Sequence, residues 1–278
     1  MSNDPNGIYF LGPKGSFSNE VADMLEGNKV PLKTISEIFQ KVENEDNVIG
    51  IVPIENSLEG PVHETLDNLY KYDKIYVNSY VEKEIKLVLA VNNSINKIED
   101  IKRVYSHNHA LQEAKAALQR LNLMNIIPVE STSAAALYAS KDREAAAICS
   151  QYAASLYGLR ILMNNIQDNL NITRFIIISK KITINGDRTM IFFNVPHKPG
   201  SLYKALEKFY KYNVNLTMIY SRPLKVIPWQ YYFYIEFEGE LNDIRIKNLI
   251  EELRNVVTNI KVKGSYFKLQ FQALDFLS

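Results

Sequence analysis

The chain has 278 residues, 46% of them apolar and 23% charged, with 32 Lys plus Arg against 31 Asp plus Glu. A formal net charge of +1 and a pI near 7.7 exclude a general electrostatic pull toward nucleic acid or an anionic membrane. The one cysteine, Cys149, excludes an internal disulfide and a cysteine-based zinc site.

The N-terminus has no basic stretch followed by an apolar one, and no run approaches roughly 18 consecutive apolar residues. A cytoplasmic protein is expected. In chain order, 8–12 (IYFLG) reads as a short buried strand and 17–27 as a helix. Residues 48–55 (VIGIVPIE) form a second apolar strand. Val62, Leu66, Leu69 and Tyr70 recur at helical spacing. The β-rich stretch 75–91 is long enough to cross from one lobe to another. A strand at 103–107 precedes Leu111, Ala114, Leu118 and Leu121, one amphipathic helix. Residues 131–140 and the Ala-rich 144–156 read as two further helices, and 173–179 as a strand. Strand–helix alternation predicts an α/β fold with mostly parallel pairing.

A polar stretch with Asn-Gly at its centre, 180–188, reads as a linker. Beyond it the order is strand, helix, strand, strand, helix, strand: the βαββαβ, ferredoxin-like pattern. In 229–237, Trp229, Tyr231, Phe233, Ile235 and Phe237 alternate with Gln230, Tyr232, Tyr234 and Glu236. That period of 2 predicts a strand with one buried face. Domains are expected at 1–180 and 187–268.

Polar groups gather where strands end. GPKGSFS, with Ser16, sits between a strand and a helix, where free backbone N–H groups suit a carboxylate or phosphate. A plain tight turn with a Ser cap would look the same. Glu55, Asn56 and Ser57 close an apolar strand, the place where open α/β sheets bind ligands. Ser57 capping a helix is the plainer reading. Glu130, Ser131 and Thr132 precede a helix, with N-capping as the alternative. Thr173, Arg174 and Phe175 open a strand, and Arg174 is a natural bidentate partner for a carboxylate or for a surface ion pair. His107 and His109 have a metal-capable spacing but no acidic cluster beside them, so no metal is expected. Cys149, in an apolar run, reads as a buried thiol.

Taken together, GPKGSFS, PIENSLEGPVHETLDNL, Ser106-His107, ESTSAAA, AAICS, YGL and IQDNLNITRF, in that order, resemble prephenate dehydratase. PHKPGSLYKAL and SRPLK resemble the ACT regulatory domain that often accompanies it. The resemblance covers about residues 8–265 and implies a bilobed, type 2 periplasmic-binding-protein-like catalytic domain with its site between the lobes. It implies a lyase of phenylalanine, hence aromatic amino acid, biosynthesis. Prephenate loses carbon dioxide and water to give phenylpyruvate, with no metal or organic cofactor.

It further implies Thr173 and Arg174 as catalytic. Ser16, Glu55, Asn56, Ser57, Ser106, His109, Glu130, Ser131, Thr132 and Phe175 would contact substrate. Arg174 would hold a carboxylate, and Thr173 would act as an oriented donor to the leaving hydroxyl. His109 stands where the family has Gln. Phenylalanine would inhibit allosterically through Pro199, Gly200, Ser201, Leu202, Tyr220, Ser221, Arg222 and Pro223. Tyr203 and Tyr220 depart from the family and predict weaker binding. A homodimer or homotetramer through the ACT domains is expected, with no nucleic-acid or membrane partner and no room for a fused mutase. Arogenate as the substrate, and a non-enzymatic phenylalanine-binding protein, are the alternative readings.

Overall fold

The computed structural model describes residues 5–224 and 229–269. The first lobe is built from β1 (Gly7–Leu11), α1 (Phe17–Asp23), β2 (Lys29–Leu32), α2 (Ile35–Asn44), β3 (Val48–Asn56), the two-residue β4 (Gly60–Pro61), α3 (His63–Lys71) and β5 (Tyr76–Glu84). The second lobe holds β6 (Val88–Val91), β7 (Arg103–Ser106), α4 (Asn108–Glu113), α5 (Lys115–Arg120), β8 (Ile126–Pro128), α6 (Thr132–Lys141), β9 (Ala145–Cys149), α7 (Gln151–Leu156) and β10 (Arg160–Met163). The chain then returns to the first lobe as β11 (Ile172–Ser179). A C-terminal unit follows: β12 (Arg188–Asn194), α8 (Ser201–Lys211), β13 (Leu216–Pro223), β14 (Tyr231–Glu238), α9 (Ile244–Arg254) and β15 (Asn259–Lys268).

Pairing within the lobes is mixed rather than mostly parallel. β1 pairs in parallel with β2 and β3, but β11 runs antiparallel to both β3 and β5. In the second lobe β7 is parallel to β8 and β9, while β6 is antiparallel to β9 and β10. The reason is topological. The chain leaves the first lobe by β5 and re-enters by β11, and a returning strand laid beside its exit strand must run against it.

Local chemistry explains the elements. Thr34 caps α2 by accepting the Glu37 N–H, and Ile35, Ile38, Phe39 and Val42 bury one stripe of it. β2, α2 and β10 are absent from the sequence-based expectation. The Ala-rich 145–149 is a strand, not a helix. Helices cover both faces of β9, so it is apolar throughout and shows no alternation. The expected single helix over 111–121 is two, broken at Ala114. There the Asp168 N–H donates to the Glu113 carbonyl at 2.6 Å and Asp168 Oδ2 accepts the Ala116 N–H at 3.1 Å. The crossover returning toward β11 thus takes a carbonyl that a continuous helix would use.

The C-terminal sheet has strand order β13-β14-β12-β15 with α8 and α9 on one face. Its other face is not solvated, so the expectation of one buried face on β14 fails. Tyr232, Tyr234 and Glu236 are as buried as Ile235 and Phe237, because they pack with Met190, Phe192 and Tyr266 against the first lobe. β15 also pairs in parallel with β5, Phe267 opposite Ser79 and Lys268 opposite Tyr80, so the two sheets are continuous.

Candidate active site

The lobes meet in a cleft of about 410 Å³. Pro53, Asn56, Thr173 and Phe175 line its first-lobe wall, with Ser16 from the β1–α1 loop and Phe17 from the start of α1. The facing wall carries His107, His109 and Glu113 from the α4 region and Glu130, Ser131 and Thr132 from the start of α6. The β1–α1 loop touches α6 directly. Ser133 Oγ donates to the Lys14 carbonyl, and a Cβ on Gly15, whose φ is +86°, would sit 2.5 Å from Ser133 Oγ. Only glycine fits that approach.

Thr173 and Asn56 lie directly opposite on β11 and β3, so they share a face. Asn56 Nδ2 donates to Thr173 Oγ1 at 2.9 Å and to Asn171 Oδ1 at 2.5 Å. Asn56 Oδ1 accepts the backbone N–H groups of Leu58 and Glu59 at 2.9 and 3.1 Å. All four hydrogen-bonding valences of that amide are occupied, so the side chain is fixed. The Thr173 oxygen accepts, which leaves its proton to donate toward the cleft. Asn171, 3% exposed, continues the chain by donating from Nδ2 to Glu113 Oε1 at 2.8 Å. Burial, and then the nearby Glu59 carboxylate, push the Glu113 carboxyl above its usual range, against the Asn171 hydrogen bond and His109.

An irregularity in the β3–β11 ladder lets Phe175 pair with Pro53 while Arg174 pairs with Glu55, leaving Ile54 as the extra residue. It places Pro53 and Asn56, three residues apart, on the same wall. No feature of the sequence signals that bulge.

Four expected contacts are not in the cleft. Successive strand residues point to opposite faces, so Arg174 and Glu55 turn away from the substrate side. Arg174 faces the C-terminal sheet, with Glu55 at 3.6 Å, Glu82 at 3.1 Å and Glu236 at 3.2 Å. Ser57 is exposed and stitches β3 to β11, its Oγ accepting the Ile172 N–H at 2.9 Å. Ser106 is fully buried and donates to the Ile148 carbonyl at 2.7 Å, a tie between β7 and β9. Ser16, Asn56, His109, Glu130, Ser131, Thr132, Thr173 and Phe175 do meet in the cleft. Ser16 and Ser131 are also the caps of α1 and α6. His109 Nδ1 pairs with Glu59 and its ring stacks on His107 at 5.1 Å. Burial, and then the neighbouring His109, hold the His107 imidazole below its usual value, against the pull of Glu59. Asn171 and Glu113 were missed, and among the described residues lining the cleft none is Lys or Arg. No group of three His, Cys, Asp or Glu among the described residues is placed to hold a metal. No described helix is long and apolar enough to cross a membrane.

The C-terminal residues divide in the same way. Gly200, Ser201, Leu202 and Tyr203 line a hollow of about 330 Å³ with Gln230, Tyr231 and Phe233. Gly200 has φ +79° and nothing within 4 Å of a Cβ, so backbone conformation rather than a close approach requires glycine there. Pro199 is exposed and, like Ser221, lies outside that lining. Tyr220 and Arg222 point instead at the first lobe. The Tyr220 hydroxyl donates to Glu55 at 3.2 Å, and Arg222 holds Asp67 through two bonds of 3.1 and 2.9 Å. Pro223 borders Asp67 and Tyr70 of α3.

Comparison with known proteins agrees with this architecture. The family model for prephenate dehydratase matches residues 8–183. A bifunctional chorismate mutase/prephenate dehydratase of Aquifex aeolicus is 38% identical over 95% of this chain and 74% of its own length. Arogenate dehydratase 2 of Petunia hybrida is 34% identical over 93% of this chain and 71% of its own. The crystal structure of prephenate dehydratase in complex with L-Phe from Arthrobacter aurescens superposes with a TM-score of 0.85 at 29% identity, covering 94% of this chain and 90% of that one. With a family model over most of its length and a 38% identical relative, the chain belongs to the prephenate dehydratase family.

Proposed function

We propose that the chain converts prephenate to phenylpyruvate, with loss of carbon dioxide and water, in phenylalanine biosynthesis in the cytoplasm. The observation that carries this reading is the Asn56–Thr173 pair: a locked amide donating to a hydroxyl that keeps its own proton for the cleft. A leaving hydroxyl that gathers negative charge needs such a pre-oriented donor. Aromatisation supplies the driving force, so the protein's task is positioning. The N-terminus of α6, with Ser131 and Thr132, offers backbone N–H groups to a carboxylate. Arg174 acts as a positioning residue, holding the strand behind Thr173.

A second reading has its own support. Glu59, Glu113 and Glu130 line the cleft and no Lys or Arg among the described residues does, a setting that would suit the ammonium group of arogenate. Incubating the purified protein with prephenate and, in parallel, with arogenate tests both. Phenylpyruvate from prephenate is the expected main product. Turnover of arogenate alone would reverse the order, and turnover of neither would remove the enzymatic reading. Regulation belongs to the same proposal. Phenylalanine occupies the hollow at Gly200–Tyr203 of an ACT domain spanning about 187–268, in a homodimer or homotetramer, and inhibits. The L-Phe complex of the Arthrobacter aurescens relative supports this. Calorimetry and inhibition assays with millimolar phenylalanine test it.

A further inference from the structure

We infer that Glu113 is the acid that protonates the departing hydroxyl, an inference that rests on the dehydratase reading above. Glu113 is the last residue of α4 and lines the cleft across from Thr173. Its two oxygens are not equivalent. Oε1 accepts from Asn171 Nδ2 at 2.8 Å, whereas Oε2 is shielded from water and has no hydrogen-bond partner among the described residues. A charged carboxylate with one oxygen so placed is costly, and a neutral carboxyl with its proton on that oxygen costs less, because only the unpaired hydroxyl and no charge is buried. The proton then has no acceptor among the described residues, and it reaches a ligand when Oε2 turns out of that shielded position into the cleft that Glu113 lines. Asn171 grips the other oxygen and connects it, through Asn56, to Thr173.

The charged neighbours come from every side of the cleft. Glu59 stands in the β3–β4 turn, His107 and His109 at the start of α4, and Glu130 before α6. Asp168, on the crossover, is engaged by the Ala116 N–H. Burial, and then the Glu59 carboxylate, outweigh the Asn171 hydrogen bond and His109 and keep the carboxyl above its ordinary range. A dianionic substrate in the same cleft would favour the neutral form further.

The step balances. The ring C–OH bond breaks with its electron pair moving to oxygen, and the Glu113 proton converts that oxygen to water. The bond from the ring to its carboxylate breaks, its pair completes the aromatic ring, and carbon dioxide leaves. Prephenate dianion plus one proton gives phenylpyruvate monoanion, carbon dioxide and water. Glu113 is left as a carboxylate and regains its proton from solvent. Thr173 orients the leaving oxygen by donating a hydrogen bond, a role its high pKa allows where proton transfer is not.

Glu113→Gln is the test, because an amide oxygen can still accept from Asn171 and so keep the site in place. The parent should turn over prephenate with a kcat that falls as pH rises through the Glu113 pKa. The variant should melt as the parent does, keep KM within a few-fold, lose kcat by roughly 10²–10⁴-fold and lose that alkaline limb. An infrared band of a neutral carboxyl that persists to higher pH than an ordinary glutamate allows, present in the parent and missing in the variant, reports the proton without turnover. A variant with kcat within a few-fold of the parent and the same alkaline limb overturns the acid and leaves the dehydratase reading standing. A parent whose Glu113 titrates in the ordinary glutamate range does the same. A parent with no turnover of prephenate or arogenate overturns the dehydratase reading and this step with it.

Discussion

Glu236 is where the C-terminal sheet meets the catalytic one, and replacing it with Gln should loosen that junction. The carboxylate is 1% exposed. Its Oε1 accepts from Arg188 at 2.8 Å, Arg174 at 3.2 Å and Thr217 at 2.7 Å, and Oε2 accepts from the Tyr266 hydroxyl at 2.8 Å. Gln preserves shape and an acceptor oxygen, and the Tyr266 hydroxyl can turn to accept from the new amide. What is lost is the charge opposite two half-buried guanidinium groups. Arg174 retains Glu55 and Glu82, so its loss is partial. Among the described residues Arg188 has no other ion pair, and it keeps the Tyr80 ring, 5.0 Å away. Removing one partner of a buried ion pair costs about 3–5 kcal/mol. The remaining acceptors for Arg174 place Glu236→Gln at the lower end, about 3 kcal/mol. Urea unfolding followed by circular dichroism measures it, with Arg188→Met and the double variant completing a cycle. A loss under about 1 kcal/mol would show that the carboxylate does no more than offset its own desolvation, and the proposed junction would lose its main support.

Thr173→Val keeps the β-branched shape and removes the hydroxyl. Its kcat on prephenate should fall by roughly 10²–10³-fold with KM little changed, and near-normal kcat would take Thr173 out of the chemistry. Lys263 is fully buried, its ammonium donating to the Tyr72 carbonyl at 2.6 Å and the Ile75 carbonyl at 3.3 Å, and burial pulls its pKa down to about 8. The unfolded chain, with an ordinary value of about 10.4, binds more protons between those limits, so this group makes stability rise with pH across that window. Lys263→Met should abolish the rise in urea midpoint, and equal slopes in both proteins would refute the assignment. Sequence logic alone would have Tyr220→Glu restore a family carboxylate and tighten phenylalanine. The structure reverses that, since the new carboxylate would lie beside Glu55. A lower urea midpoint with no gain in phenylalanine affinity by calorimetry is expected, and a tighter effector would place Tyr220 in the hollow after all.

Much of this site is written locally. Asn56, Thr173 and the Glu130–Thr132 turn sit at strand ends or helix starts, where free backbone groups and side-chain oxygens gather, and each falls in the cleft. Arg174 and Glu55 share those motifs and fail on a rule the sequence already contains. A strand cannot aim adjacent residues at one ligand, and the partner that claims them is the C-terminal sheet. Glu113 and Asn171 are separated by 58 positions and joined across the lobes, so no local pattern marks them. The Ala-rich β9 was misread for an energetic reason. Alanine is the best intrinsic helix former, and only burial between two helix layers makes 145–149 a strand.

The continuity of β5 with β15 bears on how this enzyme could be freed of the proposed phenylalanine control. Excising the C-terminal unit would not release a self-sufficient catalytic half. It would strip the neighbour from part of β5, expose unpaired backbone beside an apolar surface that now meets Met190, Phe192 and Tyr234, and leave Arg174 without Glu236. Such a fragment is a template for aggregation before it is a deregulated catalyst. Insensitivity to an effector is therefore reached more safely by substitutions in the hollow at Gly200–Tyr203, which lies on the helix-bearing face of the C-terminal sheet, away from the catalytic lobe. The proposed sensor and the scaffold share one sheet, so the chain could lose the first by point changes but the second only at the cost of the fold.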